Sequence, residues 1–415
     1  MPGQQVGLFI QPIPDDAPAL PGRDFTHPVS TEELTKRLTK TCKQYLSELR
    51  FGTGHPAATY NTVIDTRLQL IGNTNCIKLP ILQHSVISLD PHNNRYLLNG
   101  YPSGTVRMTD LCSWPLPEET GNRSDPNHKP ILDFSWCKTD ARLFVTASSD
   151  GHIKLWDTDA FDVVESWKVS ESLTEIGMHL SKASHVAVAF PGHYVSLIDP
   201  ITGDHTHQIT WKDHNVTVVQ WHPRDYKFLF CGSTQGQGAM FDIRSTKRPV
   251  REVIPGYGGS ENLRMNKYMY PIAKAKFTTD GTKLVWLDKE NVMRVFKMED
   301  GTEETAFKLE CADHYNRTRY HFDLIEEGSE YRAIVPYDNN MSIVSLSANP
   351  PNRYFKHIET GFIGYVTGAK YRKRHQHIVA VSTDNHCNIF TPSTDGQPEA
   401  VVEELQQDQW SSDED

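Results

Sequence analysis

A segment of about 45 residues recurs along this chain, and no other feature constrains its fold as strongly. The clearest copies are "SVISLDPHNNRYLLNGYPSGTVRMTDL", "ILDFSWCKTDARLFVTASSDGHIKLWD", "TVVQWHPRDYKFLFCGSTQGQGAMFDI" and "AKAKFTTDGTKLVWLDKENVMRVFKM". Each begins as an alternating apolar strand that ends on a bulky residue and a polar turn. A second β-rich strand, a tight turn and a third strand closing near an acidic residue follow. The residue at the end of the first strand serves as an anchor: Leu89, Trp136, Trp221 and Phe277, with weaker counterparts at Met178, Phe322 and Ala369. The chain therefore holds seven units, each with room for four short strands. Such a unit cannot bury its apolar faces alone and must stack on its neighbours.

Seven small antiparallel sheets in succession resemble the WD-repeat β-propeller, in which sheets stand around a central channel. The expected fold is all-β: a seven-bladed WD-repeat β-propeller with an N-terminal helical extension and an acidic C-terminal tail. The leader and helix take residues 1–54, the propeller 55–395, its repeats proper starting near 80, and the tail 396–415. The widest gap between anchors, before Phe277, coincides with "PGYGGSENLRMNKY" (255–268), whose glycines and polar residues predict an exposed loop. "TYNTVIDTRLQL" (59–70) is rich in β-branched residues and is expected to supply the outer strand that joins the last blade and removes a free sheet edge.

The second repeat contains "SSDGHIKLWDTD" (148–159), dense enough in polar groups to suggest chemistry. In the WD-repeat pattern, a His before the first strand, a Ser or Thr ending the second, an Asp in the next turn and a Trp in the third strand form a hydrogen-bonded chain. His128, Ser148, Asp150 and Trp156 occupy these places. Buried polar groups must satisfy one another, since an orphaned one costs roughly 1–3 kcal/mol. As a nucleophilic triad the same residues are poor, because no G-x-S-x-G elbow accompanies them. The expectation is a structural tetrad, no catalytic residue and no enzymatic activity. Other blades keep less of the set. The last has Ser382 and Asp384 with Phe390 in the Trp place, and the fourth has His214, Ser233 and Phe241 with Gln235 in the Asp place.

Composition excludes further classes. Seven widely spaced cysteines without a C-x-x-C pair disfavour disulfide frameworks and zinc sites, so no metal or cofactor is expected. No basic n-region with an apolar run stands at the start, and nowhere do about 18 apolar residues stand together, so neither export nor a membrane span is expected. The net charge of −10 includes Glu403, Glu404, Asp408, Asp413, Glu414 and Asp415 at the end. That balance argues against tight direct binding to nucleic acid and for protein partners.

Ahead of the repeats, "HPVSTEELTKRLTKTCKQYLSELRFG" opens with a capping box, Ser30 and Glu33, and predicts a helix with Leu34, Leu38, Cys42, Tyr45, Leu46 and Leu49 along one side. That side either packs on its own propeller or enters a groove on a partner. "KYRKRHQH" (370–377) reads as a solvated turn, with contact to phosphate or an acidic partner as the alternative. In the acidic tail, Trp410 suggests a docking contact, and Ser411 and Ser412 precede acids as acid-directed kinases require.

Several phrases carry a narrower resemblance: "SLDPHNNRYLLNG", "KLWDTDA", "VQWHPRDYKFLF", "FTTDGTKL", "VPYDNN", "HCNIFTPS" and the terminal "QWSSDED". With the blade order and the insertion before the fifth blade, they resemble the Cockayne syndrome group A family of WD-repeat repair factors. The resemblance implies a nuclear substrate-recognition subunit of a cullin-4 RING ubiquitin ligase, acting in transcription-coupled nucleotide excision repair. Its implied partners are the ligase's damage-specific DNA-binding adaptor, the Cockayne syndrome B translocase and the stalled RNA polymerase II complex. Receptors of this class carry a W-D-x-R box whose Arg meets the adaptor. "FDIR" here matches it at Asp242 and Arg244, with Phe241 in the Trp place. The resemblance also assigns the N-terminal helix, through Leu34, Leu38 and Tyr45, to the adaptor.

Overall fold

The computed structural model describes residues 31–392 apart from 52–53, 81–85, 113–117, 124–128, 138–139, 170–177, 181–184, 190–193, 201, 257–269, 310–321, 351 and 385. Seven four-stranded antiparallel sheets form the seven blades of a WD40 β-propeller. In six of these blades the strands run from the inside outward in chain order, and in the seventh the inner strand is Val366–Arg372 while the outer one comes from the N-terminal side of the ring. The inner strands are Val86–Leu89, Ile131–Trp136, Met178–Leu180, Val216–Trp221, Ile272–Phe277, Asp323–Ile325 and Val366–Arg372. Four of the anchors end their strands as expected. The other three, Met178, Phe322 and Ala369, lie two or three residues early, because those strands close on Leu180, Ile325 and Arg372 and no aromatic marks the place.

The second strands are apolar on both faces, as burial between two neighbouring blades requires. Leu143–Ser148 and His377–Ser382, for example, are buried at every position after the first. Between blades one and two, Val86, Leu98 and Met108 meet Phe134, Trp136, Phe144 and Trp156. Phe144 and Trp156 stack with ring centroids 5.7 Å apart. Between blades seven and one, Val379, Val381 and Ile389 meet Ile87 and Leu97. Each seam is a small core, and the ring is their sum.

The ring closes by the expected device through a different segment. Ile71–Pro80 is the outer strand of the last blade, antiparallel to His386–Pro392, with Ile77 opposite Ile389 and Leu79 opposite Cys387. Residues 59–70, expected as that strand, belong instead to helix α2 (Pro56–Leu70), which follows helix α1 (Thr31–Phe51). Pro56 sits where a helix tolerates a missing N–H, and the buried residues Thr59, Val63, Thr66 and Leu70 recur at a helical interval. Ile64 and Leu68 enter the core between blades six and seven, beside Ile325, Ile343, Ile378 and Phe390. This packing outweighs the β preference of Thr62, Val63 and Ile64. The insertion centred on 257–269 lies outside the described residues.

Candidate functional site

Because strands alternate in direction, the turns after the first and third strands of every blade crowd onto one end of the ring. Three exposed features meet on that end: the guanidinium of Arg244, the α1–α2 hairpin and the mouth of the central channel.

Arg244 follows the third strand of blade four, Gly238–Asp242. Asp242, at the strand end, accepts bonds from Arg244 N at 2.9 Å, Nε at 3.0 Å and Nη2 at 2.6 Å. The guanidinium beside it holds the Asp242 carboxyl down at about 2. The carboxylate is 12% exposed and the arginine side chain 67%. Asp242 thus braces, through Nε and Nη2, a guanidinium whose side chain stays largely exposed, a geometry suited to a carboxylate or carbonyl on another protein. Phe241 is fully buried edge-on to Trp211, so it keeps the packing role of the Trp it replaces.

The hairpin is pinned to blade six. Asp65 of α2 accepts from Arg332 Nη1 at 2.7 Å and from Ser329 N at 3.3 Å. Gly328 makes this approach possible: its φ is +101°, and a Cβ there would lie 2.4 Å from Asp65 Oδ1. Helix α1 in turn lies on α2. Leu34 and Leu38, 8% and 6% exposed, pack with Val63 and Leu70, and the ring of Tyr45 lies 5.6 Å from that of Tyr60. The side of α1 assigned to a partner through Leu34, Leu38 and Tyr45 is therefore covered by the chain's own second helix. What α1 leaves to solvent is Leu46 and Leu49, 63% and 55% exposed, with Lys36, Arg37, Lys40 and Lys43. Glu48 turns inward between those leucines, accepting from Thr59 Oγ1 at 2.7 Å and Gln44 Nε2 at 2.8 Å. The sequence put all six apolar residues on one side. The signal for the split, an acid at 48 facing Thr59, depends on α2 being a helix, which the β-branched residues of 59–70 conceal.

In blade two, Ser148 Oγ donates to Asp150 Oδ1, and the backbone N–H of His152 reaches the same oxygen at 3.1 Å. Burial alone would raise the Asp150 pKa, but these bonds and the His152 imidazole hold it below the usual carboxylate range. The His152 ring approaches the other oxygen at 3.2 Å without hydrogen-bond alignment. Trp156 Nε1 donates to Thr146 Oγ1 at 3.0 Å, so the indole is tied through Thr146 and not Ser148. The register explains it. Phe144 stands opposite Trp156, which makes Thr146 the diagonal neighbour and leaves Ser148 a further step along the strand. His128 lies outside the described residues, as does Trp410. In blade seven Ser382 donates to Asp384 in the same way. In blade four Ser233 donates to Gln237 O at 3.0 Å, and Gln235 Nε2 to Asp213 O at 2.7 Å.

The basic stretch is a turn at residues 373–376, as expected, but its flanks are not solvated. Arg372 is 2% exposed and reaches across to blade one, donating from Nε to Asn94 O at 2.7 Å. No group of three His, Cys, Asp or Glu that could hold a metal ion occurs among the described residues. Nor, among them, is any helix long and apolar enough to cross a membrane.

The WD domain, G-beta repeat family matches residues 122–157, which take in the first three strands of blade two. Among curated proteins, the chain is 25% identical over 173 residues to the WD repeat-containing protein ATCSA-1 of Arabidopsis thaliana, covering 38% of each. It is 25% identical over 146 residues to Radiation-sensitive protein 28 of Saccharomyces cerevisiae, covering 33% of this chain and 29% of that one. It is also 24% identical over 179 residues to Eukaryotic translation initiation factor 3 subunit I of Drosophila grimshawi, covering 40% of this chain and 50% of that one. The chain thus spans half or less of the length of each of these relatives. It is a WD-repeat protein with low-identity similarity to all three.

Proposed function

We propose that the protein is the nuclear substrate-recognition subunit of a cullin-4 RING ubiquitin ligase in transcription-coupled nucleotide excision repair. It holds the damage-specific DNA-binding adaptor through the turn face and presents the Cockayne syndrome B translocase and the stalled RNA polymerase II complex to the ligase. The observation that carries this reading is the joint presentation, on one face of the ring, of a carboxylate-braced Arg244 and a docked helical hairpin with two exposed leucines. The similarity to ATCSA-1 and to Radiation-sensitive protein 28 supports it, as does the family resemblance of the terminal "QWSSDED".

Such a receptor performs no bond chemistry. It converts an encounter between target and loaded ubiquitin into an effectively intramolecular one, with local concentrations of about millimolar available through tethering. Each seam of the ring buries apolar residues from two blades, so the two binding regions keep a fixed geometry.

Capture of purified adaptor by the full chain is the test. Arg244→Glu and the pair Leu46→Asp with Leu49→Asp are each expected to weaken capture at least tenfold without changing the thermal melt. Equal capture by these variants would overturn the proposal. Leu34 and Leu38 are unsuited to this experiment, because changing them would release α1 from α2. A second reading, a WD-repeat scaffold without a ligase role, is favoured by the comparable match to the translation initiation factor subunit. Purification of the chain from cells before and after ultraviolet irradiation separates the two: the ligase reading requires cullin-4 and polymerase subunits among the recovered proteins.

A further inference from the structure

The central channel opens on the turn face as a cavity of about 400 Å³, within the size range of small-ligand sites. Its walls carry charges that no part of the proposed function uses. Lys274 and Lys276 alternate on the inner strand of blade five, and Lys370 comes from the inner strand of blade seven. Asp133 of blade two lies 3.8 Å from Lys274 Nζ, and Asp323 of blade six is ion-paired with Lys276. Lys373, Asp90 and Glu326 stand at the rim. The two rim carboxylates are committed to the chain's own turns. Asp90 accepts from the backbone N–H groups of His92 and Asn93, and Glu326 from Thr279 N and Oγ1.

Among the described residues this leaves the Lys370 ammonium with no hydrogen bond and no ion pair within 4.0 Å. Asp323, whose charge it feels, is already taken by Lys276 and by the Tyr371 N–H at 2.9 Å. A cation in such a wall is costly unless an anion joins it. Inside the channel three lysines face two carboxylates that Lys274 and Lys276 already engage, so the Lys370 ammonium has no carboxylate of its own there.

We propose that the mouth of the central channel is a binding site for a phosphate-class anion, held by Lys370, Lys274 and Lys276, with Lys373 at the rim. The anion's source is either a free phosphate compound or a phosphorylated Ser411 or Ser412 of the chain's own tail. The tail follows Pro392, and the strand ending there runs toward the turn face on which the channel opens.

Burial first, and Lys276 second, lower Lys370 to about 7. A bound dianion favours its protonated form, so affinity rises as pH falls through that value. The other ionisable groups facing Lys370 across the cavity are Lys274, Lys276, Asp133 and Asp323, with Asp90, Glu326, Tyr371 and Lys373 nearer the mouth.

The test is calorimetric titration of the full chain with inorganic phosphate at constant ionic strength, repeated with sulfate, a dianion across the range, at pH 6 and pH 8. Saturable binding is expected, with sulfate affinity about tenfold higher at pH 6. Lys370→Met is expected to lose at least tenfold in affinity together with the pH dependence, and Lys373→Met to lose less. The exposed Lys212→Met serves as a control and should bind as the unaltered chain does. Since Lys370→Met removes a half-buried cation that has no ion-pair partner, its melting temperature should not fall, which separates lost binding from lost fold. Neutralising the six acids of residues 401–415 and replacing Ser411 and Ser412 by alanine distinguishes the sources. Tighter phosphate binding in that variant points to the tail, and unchanged binding to a free anion. Absence of saturable binding, or undiminished binding by Lys370→Met, would overturn the proposal.

Discussion

At the level of single residues, Thr146 shows how one oxygen can decide a position. It is the acceptor for the buried Trp156 indole, so Thr146→Val should leave that N–H orphaned at a cost of about 1–3 kcal/mol in urea unfolding. Thr146→Ser should cost much less, and equal costs would mean that the hydroxyl does not matter. The polar character of "SSDGHIKLWD" was legible as scaffold, but the indole's partner was not, because both Thr146 and Ser148 fit the pattern until the register is known. Carboxylates at the turns give a pH prediction. Asp280 is held down at about 2: burial would raise it, but donors on Thr278, Thr282 and Tyr331 override that. Asp242 is held at about 2 by Arg244. Both titrate near 3.8 once unfolded, so the unfolded chain binds the protons first. Their stabilisation is complete above about pH 4 and disappears as pH falls toward 2. Asp280→Asn should flatten the acid limb of a stability-versus-pH curve, and an unchanged limb would argue against these bonds.

At the level of elements, α2 couples the N-terminal segment to the ring. Leu68 is fully buried between blades six and seven, so Leu68→Ala should cost about 2–5 kcal/mol, read from denaturant midpoints. Leu46→Asp should stay within about 0.5 kcal/mol of the unaltered chain. The contrast distinguishes the half of the hairpin that builds the molecule from the half available to others. Helix α1, which begins at Thr31, was legible from the Ser30–Glu33 spacing and the apolar periodicity behind it, though Ser30 itself lies outside the described residues. Residues 59–70 were misread because Thr59, Thr62, Val63 and Ile64 favour strands locally, while the buried stripe that makes them helical needs the seam between two distant blades. The channel charges were hidden for a related reason. Lys274 and Lys276 alternate in plain view, but only closure of the ring brings Lys370 and Asp323 to the same space.

At the scale of the whole molecule, seven repeats were countable because aromatic anchors mark four of them and spacing supplies the rest. The closing strand has the largest effect. A chain lacking residues up to 80 would expose the backbone edge of His386–Pro392 and is expected to oligomerise, as light scattering after size exclusion would show. Adding residues 55–80 as a peptide should restore the monomer; a monodisperse truncated chain would mean that the edge is protected in another way. The same pairing imposes an order on biosynthesis. Ile71–Pro80 leaves the ribosome roughly three hundred residues ahead of its partner, a wait of about 15–60 s at ordinary elongation rates. Throughout translation that strand has no native mate, so folding of this protein in the cell should lean on chaperones until the last blade is delivered.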